Sequence, residues 1–139
     1  MNLDRLTRGM LYHEIFELYG TDWKKISQYP NLPEGFIDAY FVKLKPFMIE
    51  RNQTISKRLQ IKYCNHLNWI LMSKHQNLDE DVIELMKNRV SWSNIAMCQK
   101  ISKKFIIKYK DNLKFHLLKI NPNISPDVLW QVKKYFLEE

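Results

Sequence analysis

The sequence predicts an all-α fold, a right- or left-handed solenoid-like stack of short helix pairs in about five repeats, and three observations lead there. Large aromatics recur at Trp23, Phe47, Trp69, Trp92 and Phe115, separated by 24, 22, 23 and 23 residues. Behind each anchor, apolar residues fall at helical spacing, interrupted by a polar turn and a side chain able to cap a helix start. Glycine occurs only 3 times in 139 residues, which disfavours the glycine-rich turns of β-hairpins and of dinucleotide-binding crevices.

The elements follow in order. Residues 1–20 read as half a unit, with Leu6-Thr7 followed by Met10-Leu11. Trp23 opens the first full unit, with Ile26 three residues on, the turn Tyr29-Pro30-Asn31, and a second helix carrying Leu32, Phe36, Ile37, Tyr40 and Leu44. Pro33 at that helix start is tolerated near a first turn but supplies no capping oxygen. The second unit takes Phe47 as anchor and Glu50 in an apolar slot. It aligns through Ile55, Ser56, Leu59, Tyr63 and Leu67 only if one residue is removed from its loop.

Three units remain. Trp69 and Met72 precede the turn His75-Gln76-Asn77, with Leu78, Val82, Ile83, Met86 and Val90 beyond. Trp92 and Ile95 precede Cys98-Gln99-Lys100, then Ile101, Phe105, Ile106, Tyr109 and Leu113. Phe115 and Leu118 precede Asn121-Pro122-Asn123, then Ile124, Val128, Leu129, Val132 and Phe136. Asp79, Ser102 and Ser125 sit where a side-chain oxygen caps the second helix. Helices this short are marginal alone, so stability must come from one pair stacking on the next within a single domain, residues 1–139.

The segments Asp22-Trp23-Lys24-Lys25-Ile26-Ser27, Asn68-Trp69-Ile70-Leu71-Met72-Ser73 and Ile101-Ser102-Lys103-Lys104-Phe105-Ile106 carry a resemblance. The pattern resembles short tandem-repeat proteins of phages and giant viruses, whose units read roughly D-W-x-x-I-S, a loop with Gln, then L-S-x-x-F-I and a lysine-rich helix tail. It covers residues 22–136 and implies a viral or phage interaction protein. No catalytic residue carries over, because the shared positions are core and cap positions.

Chemistry is sparse beside this pattern. Cys64-Asn65-His66 is the closest approach to a zinc half-site and lacks a second half. Asp79-Glu80-Asp81 opens a helix, where acids favour the dipole. The serines fall on repeated cap and turn slots, and Trp23, Trp69 and Trp92 are assigned to the core. Trp130 lies outside the anchor slot and is expected to be exposed. No enzyme, cofactor or metal is expected. Two cysteines, no secretory pattern at Met1-Asn2-Leu3-Asp4-Arg5 and no apolar run near the ~20 residues of a membrane helix point to an intracellular, reducing compartment, the host cytoplasm or a virion if viral.

Charge is uneven. Residues 1–50 hold 6 Lys+Arg against 7 Asp+Glu, and residues 51–139 hold 16 against 8, for a net +7. The densest run supplies the candidate anion- or partner-binding residues Lys100, Lys103, Lys104, Lys108, Lys110 and Lys114. Lys100, Lys104 and Lys108 are expected on one helical stripe and Lys103 with Lys110 on its neighbour. Arginine is scarce, so sequence-specific base reading is disfavoured. The sequence therefore points first to a non-enzymatic protein-interaction module with a protein partner. Its alternative is a nucleic-acid-associated protein using the lysine face.

Overall fold

A computed structural model describes residues 12–137, and all regular structure among them is helical, with no strand. Residues 12–19 form α1. Leu6, Thr7, Met10 and Leu11 of the expected half-unit lie outside the described residues. Helix pairs follow: α2 (Trp23–Ser27) with α3 (Glu34–Ala39), α4 (Pro46–Asn52) with α5 (Lys57–Lys62), and α6 (Trp69–His75) with α7 (Glu80–Leu85). Then come α8 (Trp92–Cys98) with α9 (Lys103–Lys108) and α10 (Phe115–Leu118) with α11 (Pro126–Val132), which runs into a 3-10 turn at Lys133–Phe136. The chain divides into two compact halves, Met1–Leu67 and Asn68–Glu139.

The first helices of the pairs start at Trp23, Pro46, Trp69, Trp92 and Phe115, each 23 residues after the last. The second helices start at Glu34, Lys57, Glu80, Lys103 and Pro126, with the same spacing. No residue has to be removed from the second unit. Pro46, not Phe47, takes the position of the tryptophans, because proline's missing N–H is one the first helical turn leaves unpaired anyway. Phe47 is correspondingly 54% exposed, while Ile49 and Glu50 are buried like Met72 and Ser73 one period later.

The tryptophan anchors also differ from a uniform core. Trp69 is buried, but Trp23, Trp92 and Phe115 are half-buried. The indole N–H of Trp92 donates to the Lys87 carbonyl at 3.1 Å, and its ring stacks on Tyr109 with centroids 5.0 Å apart. An amphipathic ring fits an edge position of this kind, with one side in the core and one polar tip outside. Trp130 is 80% exposed.

Second helices end earlier than the apolar period suggests. α3 and α9 stop at Ala39 and Lys108, with Tyr40 and Tyr109 as C-caps. The period persists because a further hydrogen-bonded turn follows: Leu44 N–H donates to Tyr40 C=O at 3.0 Å, and Leu113 N–H to Tyr109 C=O at 3.2 Å. That turn returns Leu44 and Leu113 to the interior, each 2% exposed.

In the N-terminal half, α2 packs on α4, and the core holds Ile15, Ile26, Phe36, Ile37, Ile49 and Leu59. Phe16 of α1 packs on Phe36, Tyr40 and Trp23. In the C-terminal half, α6 packs on α8, α8 on α10, and α9 on α11. Met72, Ile83, Ile95, Ile106 and Leu118 fill its interior, all fully buried. Burying each such side chain contributes roughly 1.5–3 kcal/mol. That burial is available only between pairs, since no helix here is long enough to hold itself.

Candidate interaction surface

Buried polar side chains at the ends of the first helices and in the turns join one pair to the next. Ser27 and Ser73 are fully buried. Ser27 Oγ donates to the Trp23 carbonyl at 2.6 Å and accepts the Lys45 N–H at 2.9 Å. Ser73 Oγ repeats this with Trp69 and with the Ser91 N–H at 3.2 Å. The second bond spans 18 residues in both cases, so the hydroxyl ties the start of the next pair's first helix to its counterpart in the previous pair.

A buried amide makes the second joint. Gln99 Oε1 accepts the Leu78 N–H at 2.9 Å, and its Nε2 donates to the carbonyls of Ser73 at 2.8 Å and Gln76 at 2.6 Å. Gln53 does the same for Leu32, Ser27 and Tyr29. Asn121 takes over in the last pair, donating to Ala96 and Gln99 carbonyls at 2.8 Å each. Being one methylene shorter, its oxygen accepts from Asn123 N–H instead. The turns between helices leave carbonyls that burial would orphan, and these amides satisfy them.

A third joint lies on the second helices. Asp38 of α3 accepts from Lys62 Nζ at 2.7 Å, Tyr63 Oη at 2.7 Å and Arg58 at 3.1 Å. Those bonds, that of Lys62 foremost, hold its carboxyl down to about 2. Glu34 accepts from Ser56 Oγ at 2.6 Å and Arg58 Nε at 3.0 Å, which lower it too. In the other half, Glu84 of α7 accepts from Lys108 and from Tyr109 Oη, and both bonds hold it below the usual carboxylate range. Glu80 takes the N–H and hydroxyl of Ser102 at 2.8 and 3.1 Å.

The six candidate lysines are all exposed, but they do not form one face. Lys100 precedes α9 and lines an open groove with Asp79, Glu80 and Asp81. Lys103 and Lys104 stand on the first turn of α9. Lys108 ends that helix and is paired with Glu84. The expected stripe of Lys100, Lys104 and Lys108 is therefore corrected: α9 spans only Lys103–Lys108, and its last lysine is neutralised across to α7.

Lys110 and Lys114 go elsewhere. They line an open hollow of about 670 Å³ with Asp111, Lys134 and the end of the 3-10 turn. A second hollow of about 360 Å³ adjoins it, sharing Phe136 and Leu137 and adding Phe115, Lys119 and Lys133. Lys119 closes the dense lysine run of the sequence, whereas Lys133 and Lys134 lie outside it. The period itself carried the signal, since Lys87, Lys110 and Lys133 stand one repeat apart.

Cys64 and Cys98 are both half-buried. Among the described residues no group of three or more His, Cys, Asp or Glu could hold a metal ion, and no helix is long and apolar enough to cross a membrane. No protein-family model, curated protein or solved structure matches this chain.

Proposed function

We propose that this chain is a non-enzymatic protein-interaction module, a small helical-repeat scaffold that binds a protein partner along its exposed surface. The finer architecture belongs to the same proposal: a solenoid-like stack of about five helix pairs, supported by the 23-residue spacing of helix starts. One observation carries the functional reading. The serine, amide and carboxylate side chains that chemistry would draw on are engaged in pair-to-pair joints. Large apolar side chains meanwhile stay outside, with Trp130 80% exposed and Ile70, Leu85 and Ile120 each more than half exposed. Tryptophan is the residue type most enriched where binding energy concentrates.

On the resemblance of its motifs to phage and giant-virus repeats, we extend the proposal to a host or virion protein as partner, met in a reducing compartment. The second reading, a nucleic-acid-associated protein, is favoured by Lys103 and Lys104, adjacent cations on α9 with no ion pair to a described residue. Bait capture from expressing cells separates the two. A partner protein retained after nuclease treatment and at raised salt, and lost with Trp130→Ala, supports the scaffold. Capture that vanishes with nuclease supports the second reading.

A further inference from the structure

On the interaction reading above, we infer that the paired hollows at the end of the C-terminal half bind an acidic peptide segment carrying an apolar anchor residue. Lys110, Lys114 and Lys134 line one hollow and Lys119 and Lys133 the other, against a single acid, Asp111. None of the five ion-pairs with a described residue. Glu138 and Glu139 follow in the sequence, and lysine still outnumbers acid when they are counted. The excess fixes the sign of the occupant, since like charges brought together here would repel at close range.

The apolar part of the site fixes its class. Phe136 and Leu137 are common to both hollows, and Leu137 is 76% exposed. Phe115 and Phe136 stack on each other with centroids 5.6 Å apart, and Lys119 Nζ lies 5.8 Å from the Phe115 centroid. Lys134 Nζ likewise sits 5.3 Å from the Tyr135 ring. One face of each ring is already covered in this way, which leaves less of the stacking platform that single-strand binding uses. An exposed Leu137 between lysines instead receives an aliphatic or aromatic side chain flanked by carboxylates. Each hollow is of ordinary ligand-site size, about 300–1,000 Å³.

The test uses the full chain and a fluorescein-labelled twelve-residue peptide of alternating Glu and Ser with one central Phe, followed by anisotropy. The wild type should bind it, more tightly than the same peptide with Ser for Phe and more tightly than a twelve-nucleotide oligo-dT. Lys110→Gln, Lys114→Gln, Lys133→Gln and Lys134→Gln together should weaken binding more than about tenfold. Lys103→Gln with Lys104→Gln should change it less than about twofold. Circular dichroism of each variant checks that the helices remain. Equal loss in both variants, no preference for the Phe peptide, or tighter oligo-dT binding overturns the assignment. A cellular partner that survives nuclease and is retained by the four-lysine variant overturns it while leaving the interaction reading in place.

Discussion

Gln99 shows how much one side chain in a turn can hold. It is 3% exposed and serves one donor and two carbonyls of the preceding pair. Gln99→Met keeps the volume but orphans all three, so it should cost at least about 3 kcal/mol in urea denaturation, since each buried unpaired group costs about 1–3 kcal/mol. Exposed Gln28, also in a turn, should tolerate the same change within about 0.5 kcal/mol. The sequence reveals that Gln53, Gln76 and Gln99 recur, but a polar residue in a turn reads most simply as a helix breaker. Its burial depends on which carbonyls the next pair leaves open, and no local pattern records that. The tryptophans differ similarly. Trp69→Ala should cost the ~3–5 kcal/mol of a buried aromatic, and Trp92→Ala about 2–3 kcal/mol, because part of that side chain is already in water. Trp130→Ala should leave stability within about 0.5 kcal/mol. Equal losses at Trp69 and Trp130 would contradict the burial described.

Helix pairs are held by charge as well as packing, and that layer responds to pH. Asp38 on α3 is held at about 2 by its bonds to Lys62, Tyr63 and Arg58 on and beside α5. Glu84 on α7 is lowered by Lys108 and Tyr109. A carboxylate whose folded value is depressed stabilises the fold at neutral pH, and that contribution disappears as pH falls through the folded value. The denaturation midpoint should therefore hold from pH 7 to about 5 and drop between about 4 and 2. Asp38→Asn should be less stable at pH 7 and show a shallower drop. An unchanged pH profile in that variant would show the bonds contribute nothing, as exposed pairs sometimes do. At this scale the sequence is more legible. Ser56, Ser102 and Ser125 each cap a helix as their positions suggest, and Ser91, which no repeat slot marks, caps α8. Asp79 occupies its cap position without a side-chain cap bond, and Asp81 takes the Val82 N–H instead. The alternation of acidic α3 and α7 with basic α5 and α9 is written in the sequence too. It becomes readable once the 23-residue register sets Ile55, Ser56, Leu59, Tyr63 and Leu67 on Leu32, Pro33, Phe36, Tyr40 and Leu44, and the Phe47 anchor shifts only the first helix of its pair by one.

Across the whole chain a net charge of +7 draws any polyanion, so the question is which lysines are available to it. A run of six in the sequence divides in three dimensions: Lys100 beside acids, Lys108 paired with Glu84, Lys103 and Lys104 open on α9, Lys110 and Lys114 at the terminal hollows. Nearness along the chain could not show this, because the acids that meet Lys100 and Lys108 lie about a full period away. Divided charge predicts weak, sequence-blind nucleic-acid binding that falls steeply with salt. Each phosphate contact removed flattens the slope of log affinity against log salt by about 0.7–0.9. Gln at 103, 104, 110 and 114 should therefore flatten that slope by up to about 3 with little change in stability, glutamine being nearly as good a helix former as lysine. Lys108→Gln, added to these, should leave the slope where it is and lower stability instead, because it removes the partner of Glu84. A further flattening on that fifth change would show that Lys108 meets phosphate rather than Glu84. Submicromolar affinity at physiological salt, abolished by the first four changes, would replace the scaffold with a nucleic-acid-binding protein.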